Sequence, residues 1–161
     1  MSTLSVWRFD TPEGADRAVA TLQDLGRTKL ITLWDAATVS WPQEARKPRT
    51  RQLHDLTGPG ALGGAFWGLL FGMLFLVPLL GAALGAAFGA VSGSLADAGI
   101  SDEFVKRARD EITPGTSALF VLTSDVVLDK VTEAFAGQRP HLLFTNLSTE
   151  QDEALRTAFA E

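Results

Sequence analysis

The chain has 161 residues, enough for one domain of ordinary size or for a small domain that carries an insertion. Its formal net charge of -5 and its pI of about 5.0 argue against nucleic acid as the main partner, because phosphate binding needs a positive surface. The absence of cysteine excludes disulfide bonds, iron-sulfur clusters and thiol catalysis.

The first predicted elements are a strand, a helix and a second strand. Residues 4–9 are rich in β-formers, and Asp10 or Thr11 then provides an N-cap for a helix that Gly26 ends. The apolar residues of that helix recur at helical spacing; they are Ala15, Ala18, Val19, Leu22 and Leu25. Residues 30–39 form the next strand, so the segment closes a βαβ unit. The start of the chain lacks the basic region and apolar core of a signal peptide, so we expect no export of this part.

Asp35 is a charged residue on the apolar face of the second predicted strand. Its neighbours on that face, Leu33 and Ala37, are those of a buried strand. A β-bulge near Asp35 and Ala36 explains the break in the pattern. A catalytic carboxylate at Asp35 is the alternative.

A basic segment precedes the hydrophobic part of the chain. A loop over residues 42–48 leads to a returning strand over residues 49–56, and the segment carries Arg46, Lys47, Arg49 and Arg51. These charges fit a solvated hairpin edge that is protected from aggregation. They also fit a basic membrane flank, which would place the whole soluble part of the protein in the cytoplasm.

Residues 56–96 form the most unusual stretch, with 41 residues and no charged side chain. Glycine recurs there at intervals of four in two runs: Gly60, Gly64, Gly68 and Gly72, then Gly81, Gly85, Gly89 and Gly93. Four-residue spacing places glycines near one stripe of a helix, where a second backbone approaches closely. Pro78 lies between the runs, at the predicted hairpin turn. The pattern therefore predicts a glycine-zipper helical hairpin.

The sequence is compatible with either lipid or protein around this hairpin. A membrane span needs about 20 apolar residues, and the two halves, 57–77 and 78–96, only just reach that length. The connection over residues 76–80 contains no residue that favours water, so the tip would stay at or short of the far interface. Alternatively, several hairpins bury one another in an oligomer, or the hairpin lies in the core of a soluble protein. Trp67 fits either an interfacial anchor or a core residue.

The second half of the chain repeats the pattern of the first. Ser101 caps a helix through Ile112, and an apolar strand follows over residues 117–123, as expected of a central strand covered on both faces. A helix from residue 124 or 125 to 137 leads to a strand over residues 141–147. Ser148 and Gln151 then form a capping box that opens a final helix.

Two βαβ units in one small sheet predict an α+β, ferredoxin-like (split βαβ) sandwich with helices on one face and antiparallel central strands. The glycine-zipper hairpin is inserted between the units. The expected parts are residues 1–56, with the first βαβ unit and the return strand, residues 57–97, with the hairpin, and residues 98–161, with a helix, the second βαβ unit and the C-terminal helix.

The chain also resembles a known family over nearly its whole length. The resemblance is carried by residues 35–39 (DAATV), 56–70 (LTGPGALGGAFWGLL), 95–104 (LADAGISDEF) and 114–122 (PGTSALFVL). They are similar to an uncharacterised bacterial domain-of-unknown-function family of predicted membrane proteins. The resemblance implies a membrane-associated or self-assembling protein, and it supplies no reaction and no catalytic residue.

The sequence contains no recognisable catalytic or metal-binding motif. His54 and His141 are its two histidines, and neither lies at a spacing that brings metal ligands together. The glycine-rich segments have neither the ending of a P-loop nor a nucleophile elbow. We therefore expect no enzyme, no metal and no cofactor.

The sequence thus predicts a non-enzymatic, self-associating protein with a structural or regulatory role. Its hairpins would pack into a homo-oligomer at the cytoplasmic (inner) membrane, with the soluble domain facing the cytoplasm. A second hypothesis is a soluble, cytoplasmic homo-oligomer with hairpins buried between subunits. An apolar pore and a domain that senses a small ligand are the remaining two hypotheses.

Overall fold

The computed structural model describes residues 2–27, 32–52, 64–76, 100–124, 133, 135, 140–148 and 150–151. Within them the strands are β1 (Ser2–Phe9), β2 (Thr32–Ser40), β3 (Arg49–Gln52), β4 (Ser117–Ser124) and β5 (His141–Leu147). The helices are α1 (Gly14–Arg27), α2 (Gly64–Phe71) and α3 (Asp102–Glu111), and a π-helical segment, Gly72–Leu76, continues α2 directly.

The five strands form one antiparallel sheet in the order β3-β2-β4-β1-β5. β1 and β2 are each antiparallel to β4, so they run in the same direction with β4 between them. β4 and β5 likewise share a direction, with β1 between them. The predicted α+β class and the antiparallel pairing of the central strands are confirmed.

The centre of the sheet is β4, whose side chains alternate between two apolar cores. Leu119 and Val121 face α1 together with Trp7 and Phe135, and all four side chains are buried. Ala118, Phe120 and Leu122 face the opposite side. The prediction that this strand is covered on both faces is confirmed, as expected for a strand with a nearly continuous apolar run.

The expectation that helices cover one face is wrong. α1 covers one face, while α2, the π-helical segment and α3 cover the other. The buried residues that α3 contributes are Phe104, Val105 and Ala108. The second face is covered because α2 carries large apolar side chains between its glycines, and the sheet offers them an apolar surface inside the same chain.

Two of the predicted helix caps are confirmed. Ser101 caps α3, since its Oγ accepts from the Phe104 N–H at 3.2 Å. The Ser148–Gln151 capping box is present, with reciprocal bonds of 2.9 and 3.1 Å.

The predicted cap of α1 is wrong. Oγ of Ser117, in β4, accepts from the Ala15 N–H at 2.8 Å and donates to the Thr11 carbonyl oxygen at 2.7 Å. Asp10 instead binds Arg8, at 2.9 Å. A residue 102 positions away along the chain thus satisfies the first turn of α1.

The predicted bulge lies in β2. Leu33 pairs with Thr123 and Asp35 pairs with Leu122, so Trp34 is the extra residue. The Asp35 side chain is 0% exposed. Its Oδ1 accepts from the Ala36 N–H at 2.8 Å, and its Oδ2 lies 3.3 Å from Nε2 of Gln52, in β3. The buried carboxylate thus fixes the bulge and ties β3 to it.

Replacing Asp35 by alanine should lower the free energy of unfolding by about 2–4 kcal/mol, because it leaves buried donors without an acceptor. Asp35→Asn is the matched control. Its Oδ1 still accepts from the Ala36 N–H, and the Gln52 amide can turn to present its oxygen. Urea unfolding measures both variants, and equal stability of the two would contradict this role of the carboxylate.

Candidate functional site: the docked glycine helix

Aromatic side chains four residues apart form a buried stripe along α2 and the π-helical segment. The stripe consists of Trp67, Phe71 and Phe75, and the spacing places all three on one side of the helix. The Trp67 and Phe71 rings stack with centroids 5.7 Å apart, and the Phe71 and Phe75 rings stack at 6.3 Å. We call these three residues the aromatic stripe.

The aromatic stripe attaches the helix to the sheet. Phe120, in β4, meets Trp67 edge-on at 6.3 Å and Phe71 edge-on at 5.2 Å. Phe75 meets Trp41, just after β2, at 5.9 Å. Such edge-to-face pairs add about 0.5–1.5 kcal/mol each to the gain from burial. Of the two interpretations of Trp67, the structure shows the core residue, with 3% of it exposed.

Trp41 itself is held by the surrounding backbone. Its indole N–H donates to the Ala45 carbonyl oxygen at 3.0 Å. Its own backbone N–H donates to the Thr116 carbonyl oxygen at 2.9 Å, and its carbonyl oxygen accepts from the Gly115 N–H at 2.7 Å. The ring that receives Phe75 therefore has a fixed position.

Arg109, in α3, binds the end of the π-helical segment. Its Nη2 donates to the Met73 carbonyl oxygen at 2.6 Å, and its Nε donates to the Leu74 carbonyl oxygen at 3.2 Å. In α-helical bonding, the donor to the Leu74 carbonyl would be the N–H of residue 78. In π-helical bonding, residue 78 would serve the Met73 carbonyl. Residue 78 is proline, which has no N–H to donate in either pattern, and Arg109 supplies a donor to each of these carbonyls.

Three of the eight zipper glycines lie within the described residues. Gly64 begins α2, Gly72 is buried at the start of the π-helical segment, and Gly68 is exposed. A Cβ built on Gly68 would have no atom of the described residues within 4 Å, apart from its own helix backbone and chain neighbours. The glycines Gly60, Gly81, Gly85, Gly89 and Gly93, and Pro78 at the predicted hairpin turn, lie outside the described residues.

The aromatic stripe and the zipper glycines lie on different sides of the same helix. The aromatic stripe and the glycines are offset by one residue, which corresponds to about 100° around an α-helix. The aromatic side faces Phe120, while Gly68 faces away from the described residues. Intervals of four drift by about 40° per step in an α-helix. The wider turn of the π-helical segment rotates less per residue, which keeps Phe75 close to the line of the other two rings and against Trp41.

The basic residues predicted as a membrane flank lie around the β3 edge of the sheet. Arg46 and Lys47 are exposed in the loop after β2, and Arg49 is exposed in β3. Arg51, also in β3, has its Nη2 3.6 Å from Oδ1 of Asp16 in α1, and both side chains are more than half exposed. Arg51 thus lies on the α1 side of the sheet, opposite the face on which α2 is docked.

Among the residues that the structure describes, no helix combines the length and the apolar character needed to cross a bilayer. Within the same residues, no group of three or more acidic, histidine or cysteine side chains comes together to hold a metal ion.

Sequence reasoning missed the aromatic stripe and the role of Arg109. The stripe had a signal, since three aromatic residues recur at intervals of four, and the first two each lie one position before a glycine of the zipper. Arg109 had none, because its partners are carbonyl oxygens that lie 35 and 36 residues away along the chain.

These observations define an α+β protein with an antiparallel sheet and a glycine-rich apolar helix docked on one face. Residues 61–160 match the sequence model of the family described as "Protein of unknown function (DUF1269)". The chain belongs to this family, which confirms the resemblance to a family of unknown function. No curated protein and no solved structure matches this chain.

Replacing Arg109 by methionine should lower the free energy of unfolding by about 2 kcal/mol, since hydrogen bonds to charged groups contribute about 1.5–3 kcal/mol each and Arg109 is only partly buried. Amide hydrogen exchange should accelerate in residues 64–76 and remain slow in β1 and β4, because the contact is local. Lys106→Met, at an exposed position of α3, is the control and should change stability by about 0.5 kcal/mol or less. An exchange pattern of Arg109→Met that matches the control would show that Arg109 does not hold the helix.

Proposed function

We propose that this protein is a non-enzymatic, self-associating protein in which glycine helices of different copies pack together. The observation that carries the proposal is Gly68, an exposed glycine in the interior of α2. Glycine there costs about 1 kcal/mol relative to alanine, because it leaves more backbone freedom in the unfolded chain.

Packing among the described residues gives no reason for a glycine at position 68. A Cβ at this position would meet no atom of the described residues within 4 Å outside its own helix backbone and chain neighbours, so alanine would fit there. The backbone of a second helix approaches closely at a glycine, where Cα–H to carbonyl contacts form. Such an approach compensates the cost of the glycine.

The composition of α2 supports the same proposal. Its sequence, GAFWGLLF, contains no charged, hydroxyl or amide side chain. A helix that is apolar on all sides is normally covered on all sides, by protein or by lipid. The sheet covers the side of the aromatic stripe. The remaining side fits the helix of another copy, and the cytoplasmic membrane is the proposed surrounding of the assembly.

The strand order supports a finer description of the soluble part as a ferredoxin-like domain. β1 and β2 enclose β4, while β4 and β5 enclose β1, which is the interleaving expected of two split βαβ units. β3 extends the sheet beyond β2, and the glycine-zipper hairpin would follow β3 as an insertion.

A soluble homo-oligomer is the second candidate. It is favoured by the docking of α2 on its own sheet, because this apolar glycine helix already buries one side against protein rather than lipid. In that assembly the hairpins would be buried between subunits.

Replacing Gly68 by leucine should break the assembly, because the side chain keeps a second helix at a distance, while the monomer keeps its fold and is no less stable, since the backbone cost of the glycine is removed. Analytical ultracentrifugation of the full chain, in buffer or in detergent, gives the mass, and urea unfolding gives the stability. Ala20→Leu, at an exposed position of α1, is the control and should keep the wild-type mass. A Gly68→Leu protein with the mass of the wild type would refute packing at this glycine.

Cell fractionation distinguishes the two candidates. The membrane pellet is washed first at high salt and then at high pH, which removes proteins held by charge. We expect the protein to remain in the pellet after both washes, since 41 uncharged residues favour burial in lipid. Release as a large soluble particle would contradict the membrane location and favour the soluble oligomer.

A further inference from the structure

A cleft opens between α3 and the β1–β5 edge of the sheet. Its volume is about 290 Å³, and it is lined by Val6, Arg8, Arg107, Asp110, Glu111, His141, Leu142 and Leu143. Arg8 and His141 are direct partners in the β1–β5 register, and Val6 and Leu143 are the next pair on the same face. α3 contributes charged side chains to the cleft, and the strands contribute Val6 and Leu143 beside Arg8 and His141.

The charge of Arg8 is already neutralised within the protein. Its Nη1 donates to Oδ1 of Asp10 at 2.9 Å. Its Nε lies 2.9 Å from Oε2 of Glu111, close enough for an ion pair although not aligned for a hydrogen bond. Only 17% of the Arg8 side chain is exposed, so this group is a fixed part of the wall. Glu111 is occupied by the same contact.

Arg107 and Asp110 are the charged groups of the cleft outside this cluster, in which the single positive charge of Arg8 faces two carboxylates. They are three residues apart on α3, so they lie side by side on its surface. Both are exposed, and neither forms an ion pair with any residue that the structure describes. The cleft therefore presents one positive group and one negative group next to each other, with the His141 ring on the facing strand.

We propose that this cleft binds a small zwitterion, namely a free α-amino acid with an aliphatic side chain. Its carboxylate binds Arg107, with an additional hydrogen bond from His141. Its ammonium group binds Asp110. Its aliphatic side chain lies against Val6 and Leu143, which share the face of the sheet toward α3.

The charges of the cleft favour a zwitterion over an ion of one sign. A simple anion would meet the carboxylates of Asp110 and Glu111, while a simple cation would meet Arg107. Like charges at contact distance repel, so for each of these ligands the repulsion from one charged group offsets the attraction to the other. The volume lies just below the range of about 300–1,000 Å³ for drug-sized ligands, which limits the occupant to one small molecule.

Isothermal titration of the purified full chain with L-leucine tests this proposal. An open cleft and a ligand of this size predict a dissociation constant of about 0.01–1 mM. Arg107→Gln and Asp110→Asn should each weaken binding by about tenfold or more, because each removes one charge contact. Lys106→Gln and Glu103→Gln are the matched controls on the same helix; both residues are exposed and outside the cleft, and binding should change by less than about twofold.

Two analogues of leucine test the need for both charges. 4-Methylpentanoate lacks the ammonium group, and 3-methylbutylamine lacks the carboxylate; each should bind more weakly than leucine by about tenfold or more. Binding of 4-methylpentanoate or inorganic phosphate as tight as that of leucine would overturn the proposal in favour of an anion site. Absence of leucine binding up to about 10 mM would overturn it altogether. The cleft does not involve Gly68, so this result is independent of self-association.

Discussion

The burial of β4 on both faces is the constraint on which the rest of the structure depends. Phe120 and Leu119 are adjacent in this strand and enter opposite cores, and both are fully buried. A strand of this kind needs an apolar layer on each side, since exposing either face would lose about 25 cal/mol per Å² of apolar surface. α1 provides one layer. The glycine-rich helix, together with α3, provides the other.

The parts of the fold that local signals determine were predictable. The cap at Ser101, the Ser148–Gln151 box and the bulge beside Asp35 each depend on residues within a few positions of one another. The cap that Ser117 provides for α1 was not predictable, because its hydroxyl lies 102 residues from Ala15 along the chain and takes the place of a cap by Asp10 or Thr11. Hydropathy also fails to distinguish lipid from a sheet. It measures how apolar residues 56–96 are, and not which apolar surface they meet.

In the candidate site, too, the features that depend on distant parts of the chain were not predictable. Gly68 was identified from its spacing alone, whereas its exposure depends on which side of α2 the aromatic residues bury. In the cleft, Arg107 and Asp110 look like ordinary surface charges of α3. Their place in the cleft comes from the neighbouring β1–β5 edge, and in particular from Arg8, which occupies Glu111 and leaves Asp110 available. No sequence pattern contains that arrangement, because its parts come from three separate elements.

The extent of the family match also bears on how the protein is built. Residues 61–160 include β4 and β5, but these strands do not pair with each other; each pairs with β1, which lies outside the match. The matched segment therefore lacks the strand that joins its own strands into a sheet. α2 lies in one core with Val6 of β1, Val39 of β2 and Phe120 of β4. Since the surface that receives the glycine helix is assembled from both sides of the insertion, residues 64–76 dock only where the two halves of the sheet have come together.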